Sequence, residues 1–551
     1  MSFSSLFAGS VLRPVRSARF SSLRGAHQTR RALSMSDERD SFYVTTPIYY
    51  VNGDPHLGHA YTSVAADVMA RFQRKCGKDV YFLTGTDEHG QKVQQSAEAA
   101  GRSPQEFADA VATKFSSLAD VMNCSHDGFI RTTEPRHKEG VQALWTRLMD
   151  KGYIYLGAYE GWYSVRDEAF YTEAELVDGK APTGALVEWV KEESYFFKLS
   201  AFTQPLLDHY AANQDFVGPD GRRNEVLSFV GQEGGLRDLS ISRTTFEWGV
   251  KVPGSDQHVV YVWLDALMNY VTALGYPVEG SKGMAKYWPA DVHVVGKDIL
   301  RFHAVFWPAF LMAADMPLPK RIYAHGWWTR DGEKMSKSVG NVVDPFTLVN
   351  EYGVDFVRFF LCSEVPFGND GDFSEESFAL RINSNLANEL GNLVQRVMTM
   401  VKKNCDGAIP EPESGLLPED LELIDAAGDA LALCKGHMDR QALHKMVDAV
   451  INVARMSNKY VDTQAPWTLR KTDVPRMRTV LYTLAETIRR MTILLEPVIP
   501  ASCARILDVL GAPEDLRTFA SVTDARLAPG TLVLQPVPIF PRIEWDAKAA
   551  S

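Results

Sequence analysis

The chain lacks paired cysteines: its six, Cys76, Cys124, Cys362, Cys405, Cys434 and Cys503, are scattered, and none belongs to a Cys-x-x-Cys pair. Neither a zinc knuckle nor a disulfide framework is suggested, and a reducing compartment fits. It has no run of 18 or more apolar residues, so no membrane-spanning helix and no membrane partner are expected. A positive balance is also missing. The formal net charge of -11 argues against a protein held to nucleic acid by bulk charge, while leaving room for a local basic strip. No internal repeat is evident. What is present is ordinary soluble composition, in a 551-residue chain long enough for several domains of about 150 residues each.

One stretch lacks acid altogether. Residues 1–36 hold six arginines and nine serines and no acidic residue. Such a composition marks an organellar transit peptide, since a secretory signal needs a longer apolar stretch. The alternative is a disordered basic tail. Mitochondrion is the expected destination, with plastid or dual targeting as alternatives.

Beyond it the pattern is strand, loop, helix. Residues 42–46 read as a strand, and Ala60, Val64, Val68 and Phe72 recur at helical spacing. A second strand, 80–83, runs into Asp87, and a third, 292–295, runs into Gly296 and Asp298, with an apolar helical stretch after it. Strands alternating with helices imply a parallel sheet whose ligands lie beyond the carboxyl ends of the strands, where Asp87 and Asp298 fall. Between 153 and 255 the texture changes to mixed glycine, aromatic and charged residues, as in a small β-rich insert. After about residue 384 the stretches 387–401, 421–434, 443–461 and 476–495 show apolar positions three and four apart, which predicts a helical bundle.

Two signatures carry chemistry. His56-Leu57-Gly58-His59 opens the first helix. Its histidines are three apart, not the four of a helical zinc motif, and no third ligand is nearby, so no metal is expected. A helix N-terminus presents N–H groups and positive potential to phosphate, Gly58 permits close approach, and imidazole N–H groups can donate to phosphate oxygens. Taken alone, this tetrad also occurs in small nucleotidyltransferases. The second, Lys334-Met335-Ser336-Lys337-Ser338, follows the turn Arg330-Asp331-Gly332. It reads either as a solvated basic loop or as a mobile loop whose two ammonium groups close on a triphosphate.

In this order the two resemble the HIGH and KMSKS motifs of class I aminoacyl-tRNA synthetases, the second in all five positions. The segments 45–53, 84–90 and 296–299 resemble the methionyl-tRNA synthetase family, and the resemblance covers roughly residues 42–540. It implies a Rossmann-like α/β catalytic domain with a small inserted connective module and a C-terminal α-helical bundle. The expected division is 1–36 transit peptide, 42–152 and 256–320 the catalytic halves, 153–255 the insert, 321–384 the loop and stem-contact region, and 385–545 the anticodon-binding bundle. It also implies activation of L-methionine by ATP, with Mg²⁺ riding on ATP, and transfer to tRNA-Met.

Residue by residue, His56, His59, Lys334 and Lys337 are the expected electrostatic stabilisers of the transferring phosphate. Gly58, Gly296, Asp298, Met335 and Ser336 join them around ATP, Asp298 holding the ribose. Asp87 is assigned to the methionine ammonium, and Tyr50, Trp263, Ala266, Leu267, Tyr270, Ile299 and His303 to its side chain, with a Tyr50 O–H or a His303 N–H donating weakly to sulfur. On composition alone Trp263 and Tyr270 read equally as core. Asn392, Arg396 and Trp467 are implied to read the CAU anticodon by stacking and base-edge hydrogen bonds.

Relatives specific for isoleucine, valine and leucine carry a large hydrolytic insert, for which 153–255 is too short, because small apolar differences give only ~10–200-fold discrimination. Many methionine enzymes carry Cys-x-x-Cys knuckles in the insert. Here Ser164 and Asp167 stand in the cysteine places, so the insert is expected to be free of structural zinc and held by packing of Trp162, Tyr163 and Tyr171. A monomer is expected. The rival readings are a nucleotidyltransferase that ignores tRNA and a catalytically dead tRNA-binding protein.

Overall fold

The computed structural model describes residues 40–167, 169–171, 173–335 and 340–545. The arginine-rich leader, Ser336, Lys337 and Ser338 lie outside the described residues, and of Lys334 only the backbone is described.

A parallel sheet organises the catalytic region. Its strands are β1 (Ser41–Thr45), β2 (Tyr49–Tyr50), β3 (Asp79–Asp87), β4 (Gly128–Arg131), β5 (Val217–Gly218), β6 (Val292–Gly296) and β7 (Ile322–His325). They lie in the order 2-3-1-6-7-5, with β4 also against β3, and every pairing is parallel. Tyr43 and Val44 of β1 are both fully buried, as a strand covered on both faces requires. One face is covered by α1 (Leu57–Lys75), whose Leu57, Ala60, Val64, Val68 and Phe72 enter the core. The other face is filled by Trp145, Tyr270 and Trp307. The chain crosses sides between β1 and its neighbours β3 and β6, which opens a crevice at their carboxyl ends.

The segment 153–255 differs from a uniform β insert. Its first half is a β-sheet of Ile154–Ser164, Ala169–Tyr171 and Glu188–Phe197. Its second half carries the helices Thr203–Ala212 and Asp220–Val230, and contributes β5 to the main sheet. The texture hid these helices because each buries few residues, Leu206 and Tyr210 in one, Val226 and Val230 in the other. The main sheet likewise runs past residue 320, since β7 is one of its strands.

At the C-terminal end the helices Asn392–Asn404, Pro418–Met438, Leu443–Gln464 and Val474–Leu495 pack together. The bundle is fastened to α1 by a buried ion pair. Arg358 donates to Asp67 of α1 at 2.7 Å and to the carbonyls of Pro497 and Val498 at 2.9 and 2.8 Å. Neither charge is exposed, and Asp67 is also paired with Arg71 at 2.7 Å, so it is removal of Asp67 that would strand a charge, that of Arg358.

Candidate active site

The first signature builds its own geometry. His56 is the N-cap of α1: its Nδ1 accepts from the Gly58 amide at 3.1 Å, while the Nδ1 of His59 accepts from the His56 amide at 3.2 Å. The rings stack with centroids 3.7 Å apart. A ring nitrogen that accepts from an amide carries no proton, so in each neutral imidazole the proton sits on Nε2 as a donor. Gly58 serves the turn as well as the approach, since a Cβ there would come within 3.0 Å of the His56 ring.

Downstream, the strands Trp328–Arg330 and Glu333–Lys334 form a hairpin closed by Asp331 (φ 52) and Gly332 (φ 79). Two central residues at positive φ make the turn that fits strand twist. The hairpin delivers Met335 to the same cleft as His56 and His59. The Leu57 amide also donates to the Val343 carbonyl at 3.2 Å, so the segment after the second signature adjoins the start of α1.

The cleft has a volume of about 760 Å³. His56, Gly58, His59, Gly296, Asp298 and Met335 line it, as do Tyr50, Asp87, Trp263, Ala266, Leu267, Tyr270, Ile299 and His303. Asp87 ends β3 and is 2% exposed. Asp298 accepts from Trp327 Nε1 at 3.0 Å, and a Cβ on Gly296 would come within 2.6 Å of its carboxylate. Trp263 stacks on Phe302 with centroids 3.6 Å apart and meets Tyr50 edge-on. This makes an aromatic wall suited to a polarizable group.

His303 corrects one expectation. Its Nδ1–H donates to the Ile299 carbonyl at 3.0 Å, and its Nε2 lies 2.7 Å from the Tyr270 hydroxyl. Burial pushes its pKa down to about 4, so the ring is neutral and Nε2 accepts from Tyr270. With both nitrogens engaged, His303 has no N–H left for a sulfur.

Sequence reasoning missed several lining groups. His325, Trp327 and Asp370 line the cleft. Lys297 pairs with Asp370 at 2.7 Å, and its ammonium sits 4.2 Å from the Trp327 ring centroid. His325 ends β7, 2.7 Å from the Thr62 hydroxyl of α1, and burial lowers its pKa. Its place at a strand's carboxyl end was the available signal.

In the insert, Asp167 is held by its neighbours. Its amide donates to Ser164 Oγ at 3.2 Å, and its carboxylate accepts from Tyr171 at 3.1 Å and contacts Thr183 and Arg166. Among the described residues no group of three or more His, Cys, Asp or Glu is arranged for a metal.

A second cluster lies in the bundle. Arg396 sits 5.4 Å from the Trp467 ring centroid and pairs with Asp462 at 2.9 Å, with Asn392 one turn away on the same helix. Trp467 is 41% exposed.

Comparison with known proteins gives the following. The family described as tRNA synthetases class I (M) matches residues 42–188 and 183–398, and the anticodon binding domain of methionyl tRNA ligase matches 410–550. The methionine–tRNA ligases of Rickettsia felis and Brucella suis are each 54% identical to this chain, covering 92% of it and 99% of their own length. A Mycobacterium tuberculosis methionyl-tRNA synthetase in complex with methionyl-adenylate is 51% identical with a TM-score of 0.89, covering 91% of this chain and 100% of its own. The apo form of the enzyme from that organism is 47% identical with a TM-score of 0.83, covering 92% of this chain and 99% of its own.

Proposed function

The chain belongs to the methionyl-tRNA synthetase family, class I, and ligates methionine to tRNA through a methionyl-adenylate; from that premise we propose which residues carry the reaction and where it runs. The observation that carries the assignment is convergence. One cleft of about 760 Å³ gathers the α1 histidines, Asp298, Met335 of the basic loop, Asp87 and the aromatic wall.

In the first step the methionine carboxylate attacks the α-phosphate of ATP and pyrophosphate leaves. No general base is needed, because the nucleophile is already ionised. Catalysis then rests on positioning and on donors aimed at the growing charge. We assign that work to the Nε2–H groups of His56 and His59 and to Lys334 and Lys337 of the loop. Asp298, held by Trp327, takes the ribose, and Mg²⁺ enters bound to ATP. Asp87 takes the ammonium of methionine, while Tyr50, Trp263, Ala266, Leu267, Tyr270, Ile299 and His303 enclose its side chain. In the second step the terminal ribose hydroxyl of tRNA attacks the adenylate, after Asn392, Arg396 and Trp467 have met the anticodon.

ATP–pyrophosphate exchange with a panel of amino acids tests the assignment. Exchange should depend on methionine, and Lys337→Ala should lower it by ~100-fold or more, the scale of losing one oxyanion-type donor. An unchanged rate removes Lys337 from the mechanism. We further propose a zinc-free insert knotted by Asp167, a monomer, and service in mitochondrial translation. Metal content, mass in solution and the destination of a reporter fused to residues 1–36 test these in turn.

A further inference from the structure

Behind the methionine end of the cleft lies a buried cluster that the reaction does not use. Asp265, fully buried on the helix Val262–Leu267, accepts from two imidazoles. His89 Nδ1 is 2.7 Å from one carboxylate oxygen and His137 Nε2 is 2.8 Å from the other. The far side of His137 is fixed in turn, with Nδ1 2.8 Å from the Thr272 hydroxyl. Burial alone would raise the Asp265 pKa, but the two imidazoles outweigh it and hold it at about 2, so the group is a carboxylate.

The elements joined here are the two sides of the amino-acid site. His89 lies two residues after Asp87, and Asp265 two residues after Trp263 and directly before Ala266. Between Asp87 and His89, Glu88 is clamped by Arg131 at 2.6 and 2.9 Å, and its carbonyl accepts from Trp248 Nε1 at 2.5 Å. This fixes the strand end on which Asp87 sits. The helix carrying His137 packs closely on the short helix Asn269–Thr272 that carries Tyr270, for a Cβ on Gly140 would come within 2.3 Å of the Thr272 methyl. A change in the Asp265 contacts therefore shifts the carboxylate side of the pocket against its aromatic side.

We propose that Asp265 is a positioning residue for methionine, holding Asp87 in register with Trp263, Ala266 and Tyr270 through His89 and His137. This rests on the assignment of Asp87 to the methionine ammonium. An asparagine keeps the shape but loses the charge, and its NH₂ must then face an imidazole N–H, so one hydrogen bond is lost or a ring changes tautomer. Hydrogen bonds to charged groups contribute about 1.5–3 kcal/mol, which converts to roughly 10–100-fold in binding.

The test is pyrophosphate exchange on the full chain with Asp265→Asn, varying methionine and ATP separately. The expected result is a methionine KM raised about 10–100-fold, an ATP KM within about twofold of wild type, and kcat changed less than the methionine KM. His137→Asn, which leaves the His89 contact in place, should move the methionine KM the same way by less, and it decides the matter if Asp265→Asn does not fold. An unchanged methionine KM overturns the proposal. So does a parallel change in which the methionine KM and the ATP KM rise together while kcat and the thermal midpoint fall, which is what a merely structural role gives. Asp87→Asn separates the two layers. If it leaves the methionine KM unchanged, the assignment of Asp87 fails; if it raises that KM while Asp265→Asn does not, only the register proposal fails.

Discussion

The cleft and the Arg396–Trp467 cluster that we propose for the anticodon are built on opposite terms. In the cleft, polar groups are held by fixed neighbours: buried His303 lies between Tyr270 and Ile299, the partly buried α1 histidines rest against backbone amides, and Asp298, though exposed, accepts from Trp327. In the bundle, Arg396 and Asp462 have side chains 43% and 65% exposed, and Trp467 is 41% exposed. A site that joins two anions has to hold its dipoles before the charge develops. A site that receives unstacked bases has to leave aromatic faces and guanidinium planes reachable. Among the described residues, the chain ties its side chains where we place the chemistry and leaves them open where we place the anticodon.

The largest effect should come from breaking the rigid side. His59→Ala removes an Nε2–H donor and the stacking partner of His56 together. We expect methionine-dependent exchange to fall by ~100-fold or more, as for a lost oxyanion-type donor. A fall of less than tenfold would mean that the histidines cap the helix and do little else.

A second break is chemical. His303 titrates near 4 in the fold but near ~6.5 when unfolded. Between those values the unfolded chain binds the extra proton, so stability falls as pH drops through the window and the loss is complete below the folded pKa. At pH 5 the share of this one group is about 2 kcal/mol. His303→Gln should therefore show a smaller drop in thermal midpoint between pH 7 and pH 5 than the wild type. Equal drops would place the acid sensitivity elsewhere among the buried histidines, His293 and His325 included.

On the open side the effect should be smaller and confined to one step. Trp467→Ala should leave exchange unchanged and lower tRNA charging kcat/KM by about 10–100-fold, since stacking a base is worth ~1–3 kcal/mol. If exchange falls as well, the bundle and the cleft are not independent. The Asp67–Arg358 pair would then be the first contact to examine, because it joins α1 to the bundle.

The contrast also explains what could be read before coordinates. The first signature, Asp87 and Asp298 were legible because a strand end followed by a helix start is local, and its ligand chemistry is local too. The bundle helices were legible from apolar spacing alone. What escaped was non-local or out of period. Asp370 is tied into the cleft by partners far off in sequence, the Lys297 ammonium 73 residues earlier and the Trp327 amide 43 residues earlier. The turn Phe302–Phe306 is π-helical, a register that a 3.6-residue pattern does not show. The role of His303 could not be fixed because its two partners, Ile299 and Tyr270, decide which nitrogen carries the proton. Helices Thr203–Ala212 and Asp220–Val230 were hidden by their thin apolar faces.

The smallest effect tests whether the open site is as loose as it looks. Asp462 is the ion-pair partner that draws Arg396 toward Trp467. Exposed pairs contribute only ~0.2–1 kcal/mol, because water screens them and two long side chains must be ordered. Asp462→Ala should therefore leave the thermal midpoint unchanged and charging kcat/KM within about threefold of wild type, which we would measure on the same tRNA as Trp467→Ala. Loss of the carboxylate also removes a negative charge from a face that must meet phosphates, so a slight gain in tRNA affinity at low salt fits the same picture. A tenfold fall in charging with exchange intact would mean that Arg396 must be held in advance, and the bundle site would then follow the rule of the cleft rather than its opposite.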